Sequence, residues 1–574
     1  MTNAEVAKVF YTIAEILSIQ GENPFRIRAY ERAAQTIESY PQEVSEVYAQ
    51  GGLKALNSVP GVGQELAVKI QELVQTGRLS YLSRLKKQVP AGVLEILQVE
   101  GMGPKRTLYV WKTLGVRSVK QLEKVIKGGK LKGVPGFKEK MSANVARGIQ
   151  FRAKGGGRKP IWAVWPTAQA MVDALSLSNL CEQVEVAGSL RRMKDTIGDI
   201  DLVASSRRPR QVMKVFAQLP QIARLTASGP TQSHAVLKSG VKCDLRVVKP
   251  EQYGAALYYS TGSKKHNVHV RQIGLKRGVT MNEYGVYTGT AARKKKLLAA
   301  ETEEAVFAAM GLPYIPPELR EDSGEIEAAL AGKLPRLVEL KDIQGDLHMH
   351  TDFSDGTASL SEMARAARTA GLKYVVCSDH ASTMGMVKGV KSGNMTQYLR
   401  MIERARKQVS GIQVISGLEV DILADGSLYL SDMLLKKVDW VIASVHSHFR
   451  QSSADMTKRL ITALEHPSVK VLGHPTTRKI TKRELIKFDV DRVCKAAKAN
   501  HVALELDGAP DRLDLPDHLL RRAKDLGVKI VIDTDSHQVS ELDFRFAVGQ
   551  ARRGWLEPTD VLNTLPWSKF KDML

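Results

Sequence analysis

The sequence predicts a multidomain chain: helical at its N-terminus, α/β in its middle, and a βα barrel at its C-terminus. Three observations predict this. Histidine usage divides the chain, because three of the thirteen histidines (His234, His266, His269) precede residue 340 and the others follow it. Before residue 155 short amphipathic helical patterns are joined by Gly-punctuated turns, whereas beyond it strand and helix patterns alternate. After residue 340, apolar runs repeatedly end in a histidine or a carboxylate and then give way to a helical stretch. With 574 residues the chain is too long for one core and is expected to form about three to five domains.

Composition narrows the class. The chain is 43% hydrophobic and 25% charged, as a soluble globular protein is, and no apolar run approaches the roughly 18 to 20 residues that span a bilayer. The opening MTNAEVAKVF lacks the basic start and apolar stretch of a signal peptide. The four cysteines (Cys181, Cys243, Cys377, Cys494) are far apart and form no C-x-x-C pair, so a reducing cytoplasm is expected. A formal charge of +23 points to a polyanionic partner, with nucleic acid the first choice and no membrane.

The N-terminal region carries the turns VPGVGQELAVKI (59 to 70), VEGMGPKRTLYV (99 to 110) and, more loosely, LKGVPGFKEKMS (131 to 142). In the first two, a glycine pair (Gly61 and Gly63, Gly101 and Gly103) precedes a helix start, with Lys105 beside the second. Paired glycines let the chain turn tightly, and the following helix offers free N–H groups to a phosphate. Such contacts position DNA without reading bases. No Walker A sequence is present, so these loops are not read as an ATPase site.

The middle region is built around VEVAGSLRRMKDTIGDIDLVA (184 to 204). VEVAGS reads as a strand ending in Gly188 and Ser189, and DIDLVA as the next strand, whose alternation puts Asp199 and Asp201 on one face. GVKCDLRVV (240 to 248) offers Asp244 as a third carboxylate from another strand. Gly188, Ser189, Arg191 and Arg192 supply what a triphosphate needs: close backbone approach, a hydroxyl and positive charge. Two divalent cations held about 3.5 to 4 Å apart can bracket an in-line phosphoryl displacement.

In the C-terminal half, IQGDLHMH gives His348 and His350, with Asp355 just after; YVVCSDH gives His380; and QVISGLEVD gives Glu419. DWVIASVHSHF gives His446 and His448, VKVLGHP gives His474, and KIVIDTDSH gives Asp535 and His537. The stretches SLSEMARAARTAG (359 to 371) and DHLLRRAKDLG (517 to 527) read as intervening helices. Mixed His and carboxylate ligands without thiolate suit Zn²⁺, Mn²⁺ or iron, and not Ca²⁺. The set is too large for one ion, so two or three are expected, and the expected reaction is phosphoester hydrolysis.

Several of these motifs resemble known families. The Gly-paired turns resemble the helix-hairpin-helix motif. GSLRRMKDTIGDIDLV resembles the palm signature of the nucleotidyltransferase superfamily, and of family X DNA polymerases in particular. YYSTGSKKHNVHVRQIGLKRGVTMNEYGVY (258 to 287) resembles the nucleotide-binding subdomain of the beta-type members. That resemblance implies Tyr259 and Gly262 beside the incoming sugar, Asn267 at the minor-groove edge of the incoming base, Arg271 facing the template, and Asn282, Glu283 and Tyr284 supporting the closed form. Ser260 stands where relatives usually carry a bulky aromatic, which bears on sugar discrimination. NPFRIRAYERAAQTI (23 to 37) and the first glycine turn resemble the family's small lyase domain, with Lys69 at the Schiff-base position and Glu65 where relatives are basic.

The histidine-rich half resembles the PHP (polymerase and histidinol phosphatase) domain. Its nine-ligand set falls on His348, His350, Asp355, His380, Glu419, His446, His474, Asp535 and His537. His448 lies beyond that set, as a support for the ligands or a substrate contact. The resemblance implies a distorted (βα)7-type barrel with a metal-dependent 3′ to 5′ exonuclease or related activity.

The expected organisation follows: 1–85 a lyase-like helix-hairpin-helix domain, 86–155 a second helical DNA-binding subdomain, 156–250 a palm, 251–315 a nucleotide-binding subdomain, 316–340 a linker, and 341–574 the PHP domain. The expected protein is a monomeric, cytoplasmic, gap-filling DNA repair polymerase acting on gapped or primer-template DNA with dNTPs. Mg²⁺ or Mn²⁺ is expected in the palm and Mn²⁺, Zn²⁺ or iron in the barrel. Two alternatives stay open from sequence: a PHP phosphatase for small phosphates with a vestigial palm, and a non-catalytic DNA-binding scaffold.

Overall fold

The two glycine turns adopt the same local hydrogen bond, Val62 N–H to Val59 C=O at 3.0 Å and Met102 N–H to Val99 C=O at 2.9 Å. Each feeds a helix capped by its second glycine, Gln64–Thr76 behind Gly63 and Pro104–Lys112 behind Gly103. The apolar residues that close the turns are buried in separate apolar cores: Val59 and Val62 with Phe10, Leu17 and Ile70, and Val99 and Met102 with Ile96, Val110 and Leu122. The structure, a computed structural model, describes residues 3–38, 44–59, 61–97, 99, 102–129, 131, 145, 158–289, 296–382 and 388–574. Gly101 and most of the third glycine turn lie outside the described residues. The chain divides into two compact units, essentially residues 1–157 and 158–574.

The second unit begins with helix Ile161–Leu177 and a five-stranded sheet. Its strands are β1 (Gln183–Val186), β2 (Asp199–Ser205), β3 (Ile222–Ser228), β4 (Gln232–Leu237) and β5 (Lys242–Val248), in the spatial order β1-β2-β5-β4-β3. Only β2 and β5 pair in parallel, and their register sets Asp201 directly beside Asp244. Helices Tyr253–Thr261, Lys264–Lys276 and Glu303–Met310 follow, with a small antiparallel sheet. Residues 316–340, read from sequence as a linker, add Leu319, Ile326, Ala329 and Leu337 to the same core as Phe307 and Tyr258. Arg320 is fully buried there against Glu303, which holds the stretch in place.

A nearly closed parallel barrel of seven strands completes the unit: β6 (Gly345–Met349), β7 (Tyr374–Cys377), β8 (Gln413–Asp421), β9 (Trp440–Ser444), β10 (Val471–Gly473), β11 (Ala503–Asp507) and β12 (Ile530–Asp533). Strand order equals chain order, and a bridge from Met349 of the first strand to Ser536, three residues past the last, nearly closes the ring. Helices Leu360–Thr369, with a Ser359 and Glu362 capping box, and Asp517–Asp525 fall within the two helical stretches read from sequence. Burial on both faces explains why the strands are apolar runs rather than alternating ones.

The barrel interior has two layers. Ile415, Trp440, Ile442, Val471, Ala503 and Val531 form an apolar layer with the C-terminal Phe570. Continuing two residues at a time along the same strands leads to Glu419, His446, Glu505 and Asp535. The apolar layer fixes the strands, and the polar layer sits at their C-terminal ends.

Candidate active sites

In the palm, Asp201 and Asp244 stand side by side on β2 and β5, with Asp199 two residues before Asp201 on the same face. Burial first, then the charges of Asp199 and Asp244, push the Asp201 carboxyl up to about 7. Three carboxylates crowded in this way repel one another, and a bound divalent cation relieves that cost. His234 on β4 lies 2.8 Å from Asp244, a contact that sequence reading missed because it depends on cross-strand register.

The glycine before Ser189 has a steric reason. Gly188 has φ +59, and a Cβ built there would meet Asp201 Oδ2 at 2.0 Å. The Gly188-Ser189 turn and strand β2 therefore pack directly on one another. Ser189 Oγ is buried without a hydrogen-bond partner, which suits an incoming anionic oxygen. The two arginines separate. Arg191 forks onto Glu303 at 2.9 and 2.8 Å, a structural pair. Arg192 bonds Glu321 at 3.0 Å and the carbonyl of Thr261, so it ties the palm to the segment that carries Gly262. Gly188→Ala is expected to lower primer extension by roughly 100-fold, as a displaced catalytic group does. Steady-state extension kinetics, with circular dichroism to check the fold, will measure it.

Among the residues that the resemblance assigns to the nucleotide, Asn267 donates to the Tyr259 carbonyl at 2.9 Å and its Oδ1 is buried without a partner. Tyr259 and Arg271 are exposed. Glu283 lies 3.6 Å from Arg246, and Asn282 Oδ1 accepts from the Tyr284 amide at 2.9 Å. In the N-terminal unit, Lys69 Nζ is 2.6 Å from Glu65 and lies over the rings of Tyr81 and Tyr30 at 5.2 and 5.8 Å. Gly61, Gly63 and Lys105 are all exposed, so the turns present backbone and charge outward.

The barrel brings its nine sequence-predicted ligands into one cluster. Glu419 is the hub: His380 lies 2.7 Å from it, His474 2.9 Å, His446 3.2 Å, His348 3.5 Å and His350 3.6 Å. Asp535 lies 3.1 Å from His350 and 3.6 Å from His348. Asp355 lies 3.4 Å from His380 and 3.5 Å from His537. Three overlapping sets emerge whose donor atoms lie within 4.8 Å of one another: His350, Asp355, His380 and His537; His348, His350 and Asp535; and His380, Glu419 and His446. The His448 side chain is exposed and its Nδ1 pairs with Ser447 Oγ at 3.0 Å, so it stands outside the cluster.

Several buried acids that sequence reading missed support these ligands. Glu505 accepts from His348 Nδ1, and Asp421 from His446 Nδ1 at 2.8 Å. Both fix a ring so that its Nε2 points inward, as partners of metal-bound histidines do. Asp533 joins Glu505 and His348 in a fourth set.

The donor set fits divalent cations. His350 Nδ1 and His474 Nδ1 are buried without hydrogen-bond partners. Burial pushes both imidazoles down to about 4, which leaves them neutral as ligands must be. His380 and His537 behave oppositely. Burial alone would lower them, but Glu419 and Asp355 raise His380 to about 11, and Asp355 and Asp535 raise His537 to about 9. Those two rings hold protons in the metal-free chain and must release them on metal binding. Calorimetric Mn²⁺ affinity is therefore expected to rise with pH between about 6 and 9, with protons released into buffer from these rings and from His348 and His446, which neighbouring carboxylates also raise against the effect of burial.

These arrangements define an enzyme that joins a nucleotidyltransferase core to a metal-dependent phosphoesterase. The chain belongs to the PolX-type family X DNA polymerases, which carry a PHP domain. It is 34% identical over 566 residues to the DNA polymerase/3'-5' exonuclease PolX of Bacillus subtilis (strain 168), covering 98% of this chain and 97% of that one. Family models match a helix-hairpin-helix domain at 1–79, a SAM-like helix-hairpin-helix tandem at 93–150, a DNA polymerase beta thumb at 256–321 and a PHP domain at 346–509. DNA polymerase lambda of Rattus norvegicus is 24% identical over 350 residues, 56% of each chain. A protein named "Probable phosphatase" from Thermoanaerobacter sp. (strain X514) is 28% identical over 235 residues, 38% of this chain and 89% of that one. No helix among the described residues is long and apolar enough to cross a membrane.

Proposed function

We propose that the protein is a DNA-directed DNA polymerase that fills short gaps during DNA repair, acting in the cytoplasm, and that its barrel is a metal-dependent 3′ to 5′ exonuclease. The observation that carries this reading is that one chain, similar end to end to a polymerase/exonuclease, carries both a three-carboxylate cluster and a His/carboxylate cluster.

In the palm, Asp199, Asp201 and Asp244 hold Mg²⁺ or Mn²⁺. Ser189 donates its unpartnered hydroxyl to the triphosphate, and Arg192 neutralises it. Asp244, steadied by His234, takes the proton of the primer 3′ hydroxyl. Tyr259 and Gly262 bound the sugar, Asn267 meets the base edge, and Arg271 faces the template. In the barrel, the nine ligands hold two or three ions, of which Mn²⁺, Zn²⁺ and iron suit the donors. Bound divalent cations at either site supply charge neutralisation of the reacting phosphate and a more acidic attacking oxygen. Glu505 and Asp421 keep the rings oriented. Gly61, Gly63, Gly101, Gly103 and Lys105 grip the DNA backbone. Lys69 stands at the lyase position, and Schiff-base chemistry there requires release of its amine from Glu65.

A labelled primer bordering a one-nucleotide gap tests this reading. Addition of the templated nucleotide with dNTP, and shortening from the 3′ end without it, are the expected results. Hydrolysis of small phosphate monoesters with neither DNA reaction would support the phosphatase alternative instead.

A further inference from the structure

The cavity above the barrel cluster is not lined by barrel residues alone. Trp162, from the first turn of the palm helix Ile161–Leu177, lines it together with Lys479, Lys482 and Arg512 of the barrel loops. Its position is fixed on both sides. The amide of Ile161 donates to the Asp195 carbonyl at 2.9 Å, and the Asp195 carboxylate takes Arg478 of the barrel at 3.0 Å. One turn further on, Trp165 packs edge-on against Phe546 of the barrel. Trp165 is thus a packing residue, whereas Trp162 stays 42% exposed and offers its indole to the cavity.

The other walls suit a nucleotide. Arg512 is 12% exposed, and its Nη1 has no hydrogen-bond partner. Lys479 bonds Asp511 at 2.9 Å, and Lys482, 72% exposed, lies 4.0 Å from the same carboxylate, so two cations share one partly exposed acid in pairings weak enough for a phosphate to displace. The cavity volume is about 590 Å³, in the range that admits a single small molecule and far below that of a base-paired DNA end. A strand can enter only with its terminal nucleotide unpaired. Its base then needs an apolar surface, and an indole is the side chain that stacks on any of the four bases.

We propose that Trp162 is the stacking platform for the unpaired 3′-terminal base of the strand cleaved in the barrel, with Lys479 and Lys482 taking the adjoining phosphates. The proposal rests on the nuclease reading above. It makes a palm residue part of the nuclease substrate site, and it favours frayed or mispaired ends over paired ones.

The test measures removal of the terminal nucleotide by the full chain from two single-stranded oligonucleotides. One ends in an ordinary nucleotide, the other in a baseless tetrahydrofuran nucleotide. Trp162→Ala is expected to raise KM for the ordinary end roughly tenfold and to leave the baseless end unchanged. Trp162→Phe is expected to restore most of the loss, and gap extension is expected to be the same in all three proteins. An equal loss on both ends, or no loss on either, would overturn the proposal. A wild-type protein that shortens neither end would sink the nuclease reading, and this proposal with it.

Discussion

Asp201→Asn will lower primer extension by about 10³-fold or more while 3′ shortening stays within about twofold of wild type. The size follows from the role. Removing a carboxylate that neutralises cations at the reacting phosphate costs several kcal/mol in the transition state, and each 1.36 kcal/mol is about tenfold in rate. The substitution is nearly isosteric, so the packing of Asp201 against Gly188 persists. Stability will not explain the loss. The folded-state pKa of Asp201 lies near 7, above its ordinary value of 3.8. The stabilisation linked to its proton is therefore complete below about pH 4 and is lost as pH rises through about 7. The asparagine protein is never charged at that position, so without metal at about pH 8 it should melt no lower than wild type. A parallel fall in melting temperature and extension would contradict this account.

The second large effect is expected in the barrel. Glu419 is approached by five imidazoles between 2.7 and 3.6 Å and is almost fully buried. Glu419→Gln keeps its shape and removes its charge. Shortening of the 3′ end should fall by about 10³-fold, and the affinity of the barrel for divalent metal should drop with it. Gap extension should be untouched, because no palm ligand contacts Glu419 in the structure. Isothermal titration with Mn²⁺ and a shortening assay measure the two consequences separately.

Much of this was legible in the sequence, for definable reasons. The barrel ligands follow apolar runs, and a parallel strand buried on both faces reads as a run whose end is visible. The alternation of DIDLV places two carboxylates on one face of β2, as found. What was missed depended on pairing across strands. Glu505 lies inside the run VALEL, before Leu506, so no apolar run ends on it, and only the barrel sets it against His348. Asp421 and Asp533 look like ordinary strand-end acids until the structure sets one against His446 and the other beside Glu505 and His348. His234 carries no local signal, since only the register of β4 on β5 brings it to Asp244. Residues 316–340 look like a linker because prolines and short helices hide their apolar residues. Burial of Arg320 against Glu303 and of Leu319 beside Phe307 joins them to the preceding subdomain.

The central claim is that two separate metal-carboxylate sites on one chain perform opposite reactions at a DNA 3′ end. The most direct measurement assays Asp201→Asn and Glu419→Gln side by side on one labelled one-nucleotide-gap substrate, with Mn²⁺ and with or without dNTP. The account predicts a crossed result: the palm variant shortens but does not extend, and the barrel variant extends but does not shorten. Loss of both reactions in either variant, with the fold intact, would contradict it.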